Sequence, residues 1–182
     1  MSYSEKLQLD NIEDAVANPE KYTINHKCYL LVEFSNLGTL HGAVGILDRL
    51  LDAGMVPVIT HPERHAVLQR RTDDLADWVG RGCAIQVTAA SHTGLFGRKA
   101  QASAQELLKR GLTHFIASDA HDCKVRRPCL HEAYAQLADE WGEEAIRPLF
   151  VENPRATLTG EPLEFEFAPA ISKTRKWYRF WG

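Results

Sequence analysis

The sequence predicts an α/β chain built on a parallel sheet, and three observations carry that prediction. A helix–glycine–strand unit repeats along the chain. The strand runs are almost wholly apolar, as expected when helices cover both faces of a parallel sheet. The residues with metal-binding or anion-binding chemistry fall at or just past the ends of those runs.

The repeat is read first. Leu51-Asp52-Ala53-Gly54 leads into Met55-Val56-Pro57-Val58-Ile59-Thr60. Val79-Gly80-Arg81-Gly82 leads into Cys83-Ala84-Ile85-Gln86-Val87-Thr88, and Leu108-Lys109-Arg110-Gly111 into Leu112-Thr113-His114-Phe115-Ile116-Ala117. Each unit ends a helix at a glycine suited to the left-handed position and then starts a strand. Gly54, Gly82 and Gly111 are spaced by 28 and 29 residues, one βα unit per repeat. An earlier apolar run, Leu30 to Phe34, supplies a further strand.

Helices are expected between the strands. Leu40, Val44, Leu47 and Leu51 follow the spacing of one apolar helix face. Leu75, Trp78 and Val79 mark a shorter helix, and Ala100, Ala104, Leu107 and Leu108 a longer one. Lys109 and Arg110 suit the negative end of that helix dipole. Leu130, Ala133, Tyr134 and Leu137 mark another, followed by one from Glu143 to Phe150. Four strands alternating with helices fit a parallel barrel or an open sheet. A full barrel typically needs ~250 residues, so 182 residues are expected to form part of one.

Composition narrows the function. With 45% hydrophobic and 25% charged residues the chain is expected to fold around one sizeable core. A net charge of −3 gives no basic excess for nucleic acid. No apolar run approaches the ~20 residues of a membrane span, and with its polar first residues the chain is not expected to open on a signal peptide. Cys28, Cys83, Cys123 and Cys129 form no CxxC pair, which points to reduced thiols in a cytoplasmic protein. None has an arginine six positions later, so a cysteine-nucleophile phosphatase loop is not expected.

In both parallel architectures chemistry collects at the carboxyl ends of the strands. Asp119 and His121 close the run Ile116-Ala117-Ser118, and two residues apart in extended backbone they face one side. His61 and Arg64 follow Val58-Ile59-Thr60, and Glu33 sits in Leu31-Val32-Glu33-Phe34. Carboxylate oxygen and imidazole nitrogen at shared strand ends make Glu33, His61, Asp119 and His121 candidate metal ligands. Arg64 and Arg126 are candidate oxyanion binders, because a guanidinium offers paired, charge-assisted hydrogen bonds. The plainer alternatives are a rim carboxylate for Glu33, a hydrogen-bonded structural histidine for His61, and surface ion pairs for the arginines. His92, Gly94 and Gly97 follow the third strand, Cys83 to Thr88, and are weaker candidates; His26, His41, His65, His114 and His131 have no metal-site spacing.

The residues at these strand ends also carry a family likeness. Leu31-Val32-Glu33-Phe34-Ser35, Val58-Ile59-Thr60-His61-Pro62-Glu63-Arg64, Gln86-Val87-Thr88-Ala89-Ala90-Ser91, Phe96-Gly97, His114 to His121, and Glu152-Asn153-Pro154-Arg155 occur in order. Together they resemble the bacterial PHP-domain protein-tyrosine phosphatases of capsule and exopolysaccharide operons, over about Leu9 to Pro162. The resemblance implies a PHP-type distorted (β/α) barrel with a polynuclear metal centre at the strand C-termini. By it, Glu33, His61, Asp119 and His121 bind metal, and Arg64 and Arg126 bind phosphate. It implies manganese, with iron or zinc as the other choices. The implied substrate is phosphotyrosine on a cognate tyrosine kinase of polysaccharide synthesis. Other PHP-type phosphoesterases, such as histidinol phosphatases, share the architecture, and an inactive remnant is the non-enzymatic reading.

One departure sets a further expectation. The family opens with a His-x-His strand, an Asp-Asp-Gly segment, another histidine and a Gly-x-Glu strand, and no histidine precedes His26 here. The chain is therefore expected to be the C-terminal part of such a barrel, over residues 1–163, and a weak phosphatase by itself. Open sheet edges in such a chain would favour a homo-oligomer. Residues 164–182 interleave Lys173, Arg175, Lys176 and Arg179 with aromatics and are read as a separate basic-aromatic tail.

Overall fold

The computed structural model describes residues 12–34, 42–124 and 127–163. The N-terminal part holds α1 (Ile12–Ala17), α2 (Pro19–Tyr22) and a 3-10 turn at Ile24–His26. Four strands follow: β1 (Tyr29–Val32), β2 (Val56–Thr60), β3 (Ala84–Thr88) and β4 (Phe115–Ala117). Between β1 and β2 lies α3 (Ala43–Asp52), between β2 and β3 lies α4 (Thr72–Gly80), and between β3 and β4 lie α5 (Ala89–His92) and α6 (Gly97–Lys109). After β4 come α7 (His131–Trp141), α8 (Glu143–Arg147), a π-helical turn at Pro148–Glu152 and α9 (Asn153–Thr159).

All four strands are parallel and stand in chain order, β1-β2-β3-β4. The register pairs Leu31 with Val58, Val58 with Ala84, and Gln86 with Phe115. Leu30, Ile59, Ile85 and Val87 therefore share one face, where they pack with Leu47 and Leu50 of α3, Leu75 and Trp78 of α4, and Leu107 of α6. Tyr29, Val58, Ala84 and Phe115 share the other, in a smaller cluster closed by Ile24 and Leu163. A third cluster joins Leu108 and Ile116 to Ala133, Leu137, Ile146 and Leu149. Burial on both faces is the physical reason the strand runs are continuously apolar.

The repeat is present as expected. Gly54, Gly82 and Gly111 have φ of 79°, 109° and 68°, so each turns the chain from helix into strand where a side chain would strain the backbone. One helix face differs. In α3 the buried residues are Ala43, Leu47 and Leu50, while Val44 is exposed and Leu51 lies at the margin. The spacing of Ala43, Leu47 and Leu50 is equally helical. Ala43 is buried in the core cluster that covers the sheet, so the buried face runs through Ala43 and not through Val44. Leu40, His41 and the tail 164–182 lie outside the described residues. Among the described residues no helix is long and apolar enough to cross a membrane.

Candidate active site at the strand carboxyl ends

Three strand ends meet at the candidate site. Glu33 directly follows β1 and, by alternation, shares the Leu31 side of the sheet. His61 directly follows β2, where its amide donates to the Gln86 carbonyl at 2.8 Å and so extends the ladder by one step. Its backbone is left-handed, at φ 38° and ψ 48°. That conformation breaks strand alternation and swings the imidazole towards β1, where Nε2 lies 3.4 Å from Glu33 Oε1.

The same device recurs at β4. Asp119 is two residues past the strand and is also left-handed, at φ 49°. A non-glycine residue in this region is strained, and such strain gathers at sites that need a re-aimed side chain. The Asp119 side chain is 9% exposed and accepts a hydrogen bond from Arg64 Nη1. This ion pair crosses from the β2 turn to the β4 end. The Arg64 guanidinium also lies over the Phe96 ring at 4.3 Å, a cation–π contact. His121 is 48% exposed; its Nδ1 lies 2.8 Å from the Asp119 carbonyl and 3.9 Å from Asp119 Oδ1.

The candidate ligands thus fall into two pairs, Glu33 with His61 and Asp119 with His121. Imidazole and carboxylate are suitable donors for a divalent cation. Among the described residues, however, no three His, Cys, Asp or Glu side chains gather around one point. A catalytic zinc site typically has three protein ligands, so neither pair alone is a site. The described residues do not close a metal centre by themselves. Arg126 lies outside the described residues.

Glu63, which the sequence reading left without a role, holds the β2 turn in place. It is fully buried, and its Oε1 accepts from the Thr88 amide at 3.0 Å and from Ser91 Oγ at 2.7 Å. Burial pushes its carboxyl above the usual range, against the two hydrogen bonds that favour the ionised form. Through it the turn carrying His61 and Arg64 is fastened to the end of β3 and the start of α5. Its neighbour His65 is also buried, with Nδ1 accepting from the Val67 and Leu68 amides at 3.3 Å each. The sequence signals for Glu63 are its place between His61 and Arg64 in one turn and the family block that contains it; Thr88 and Ser91 lie 25 and 28 residues away. Phe96 likewise stands in a family block, and nothing in the sequence signals its contact with Arg64.

His92 is buried in α5, and neither ring nitrogen has a hydrogen-bond partner. Desolvation lowers its pKa to about 4, so the ring is neutral at physiological pH. His114, buried beside β4, is lowered to about 4 for the same reason, and its Nδ1 accepts from the Ile85 amide at 3.1 Å. Both belong to the interior.

Comparison with known proteins finds relatives in both sequence and fold. The family model for capsular polysaccharide synthesis, CpsB/CapC, matches residues 3–159. Tyrosine-protein phosphatase YwqE of Bacillus subtilis is 32% identical over 169 residues, covering 93% of this chain and 66% of that protein. Tyrosine-protein phosphatase CpsB of Streptococcus pneumoniae is 33% identical over 153 residues, covering 80% of this chain and 63% of that protein. A solved chain from the crystal structures of YwqE and CpsB, described as unique metal-dependent tyrosine phosphatases, superposes with a TM-score of 0.79 at 30% identity. That match covers 89% of this chain and 65% of the solved one. The chain spans just under two thirds of the length of these relatives. With its family blocks in order on a matching fold, the chain belongs to the CpsB/CapC family of capsular polysaccharide synthesis.

Proposed function

We propose that this chain carries the phosphate-binding part of a metal-dependent protein-tyrosine phosphatase site. The substrate would be phosphotyrosine on a cognate tyrosine kinase of capsule or exopolysaccharide synthesis. The observation that carries the reading is the Arg64 guanidinium, held between Asp119 and Phe96 at the strand ends where Glu33 and His61 meet. A phosphate monoester needs the charge on its non-bridging oxygens matched while water attacks phosphorus and the bond to the phenolic oxygen breaks. Arg64 is anchored through Nη1, which leaves its other N–H groups to face such oxygens. Arg126 is proposed as a second phosphate binder.

Glu33, His61, Asp119 and His121 are proposed as part of a larger donor set, completed by groups outside the described residues. Manganese is the proposed metal, with iron or zinc as the alternatives. The sheet is proposed to be a segment of a PHP-type distorted (β/α) barrel. Strand order that advances without reversal is what barrel closure requires, whereas a doubly wound sheet reverses at its switch point. Four free cysteines support a reducing, cytoplasmic setting.

The test is phosphate release by the purified chain with added manganese, together with its metal content. The substrates are a phosphotyrosyl peptide, a phosphoseryl peptide, histidinol phosphate and glycerol phosphate. The reading predicts metal bound at low stoichiometry, lowered further by His121→Ala, and slow hydrolysis with a clear preference for the phosphotyrosyl peptide. Preference for histidinol phosphate would make the protein a different phosphoesterase. Unchanged metal content in His121→Ala would remove that residue from the donor set.

A further inference from the structure

A pocket of about 240 Å³ opens beside the Arg64–Phe96 contact. Its walls include Leu95, Phe96, Ser118, Arg127, Cys129 and Glu132. Two of these tie it to the candidate site. The Phe96 ring carries the Arg64 guanidinium, and Ser118 immediately precedes Asp119. Small residues complete the lining, Ala89 and Ala90 of α5 and Ala133 of α7. Leu95 stands at the rim and is 64% exposed, a large apolar side chain left in water.

Resting on the phosphotyrosine reading, we propose that this pocket receives the aromatic ring of the phosphotyrosyl side chain, with its phosphate at Arg64. The volume falls below the ~300–1,000 Å³ of pockets that hold drug-sized ligands, which suits one side chain and not a cofactor. Phe96 would then serve two partners, the guanidinium on its face and the substrate ring against its edge. Leu95 would cover the ring from the solvent side. A phosphoseryl side chain is too short to place its phosphate at Arg64 while filling the pocket, so the pocket selects phosphotyrosine over phosphoserine.

Thr93 lines the pocket and is exposed, so Thr93→Trp fills the space without entering the core. Leu95→Ala removes the rim and is equally exposed. Affinity is measured by titration with a phosphotyrosyl peptide, the phosphoseryl peptide of the same sequence, and inorganic phosphate. Melting temperature serves as the check on folding. Wild type should prefer the phosphotyrosyl peptide. Thr93→Trp should weaken that peptide by about tenfold or more, and Leu95→Ala by about threefold, with inorganic phosphate unchanged. Unchanged phosphotyrosyl affinity in both variants would overturn the pocket while leaving the phosphatase reading standing. So would equal losses for all three ligands. A wild type that prefers phosphotyrosine in binding but hydrolyses no aryl phosphate would overturn the phosphatase reading and leave the pocket. No preference in the wild type would overturn both.

Discussion

The turn after β2 and the loop after β4 carry the same chemistry and are held by different means. The β2 turn is embedded: Glu63 and His65 are buried and hydrogen-bonded, and His61 continues the sheet ladder. The β4 loop comes out to solvent from Ala120 onwards. Ala120, His121, Asp122, Cys123 and Lys124 are all exposed, and the Lys124 amide donates within the loop to Asp122 Oδ1 at 2.6 Å. Asp119 is the exception, because Arg64 reaches across to it. One arm of the site is therefore preorganised by burial, and the other is tied to it by an ion pair. Preorganisation by the fold is what lets a donor act without reorganising at the moment of reaction.

The largest effect should come from removing the fastening of the embedded arm. Glu63→Ala leaves the Thr88 amide and the Ser91 hydroxyl without their acceptor inside the protein. Each unsatisfied group costs about 1–3 kcal/mol, so a total loss of about 3–5 kcal/mol is expected in urea unfolding. A loss below about 1 kcal/mol would show that water replaces the carboxylate there and that the β2 turn is no more embedded than the β4 loop.

Acid should sharpen the contrast between interior and loop. His92 and His114 are neutral in the fold with pKa values lowered to about 4, against 6.5 when unfolded. The unfolded chain therefore binds more protons between these values. The stabilisation is complete above pH 6.5 and is lost as pH falls towards 4, by up to about 3 kcal/mol for each histidine. Stability measured across that range should fall less steeply in His92→Leu, by about 1.4 kcal/mol per pH unit. An unaltered slope in that variant would mean that His92 is protonated in the native state.

The smallest effect should come from the exposed arm. His121→Ala should change stability by less than about 0.5 kcal/mol, because the ring is half in water and contacts its own loop. A loss near that of Glu63→Ala would place His121 in a structural network and erase the distinction between the two arms.

The sequence foretold the frame of the molecule better than its fastenings. Glycine after a helix and continuous apolar runs are local signals, and Gly54, Gly82 and Gly111 mark the three units where expected. The strand ends followed from the same pattern, which is why Glu33, His61, Arg64, Asp119 and His121 were candidates together. What holds them was not legible. Glu63 meets Thr88 and Ser91 only once β2 and β3 pair, and Arg64 meets Asp119 across 55 residues. The buried face of α3 runs through Ala43, Leu47 and Leu50 and not through Val44, because apolar spacing alone fits more than one set of residues on a helix. The left-handed backbone at His61 and Asp119 has only a weak sequence signature: His and Asp enter that region more readily than most side chains, but far less often than glycine.

Steady-state hydrolysis of a phosphotyrosyl peptide by Arg64→Ala, beside wild type and with the same added manganese, tests the central claim most directly. Arg64 is placed as the phosphoryl-binding donor at the join of the two arms. Loss of one charge-assisted contact made in the transition state should cost about 2–4 kcal/mol, a fall in kcat/KM of about 30- to 1,000-fold. A change of less than about threefold would contradict the account and return Arg64 to the status of a structural partner for Asp119.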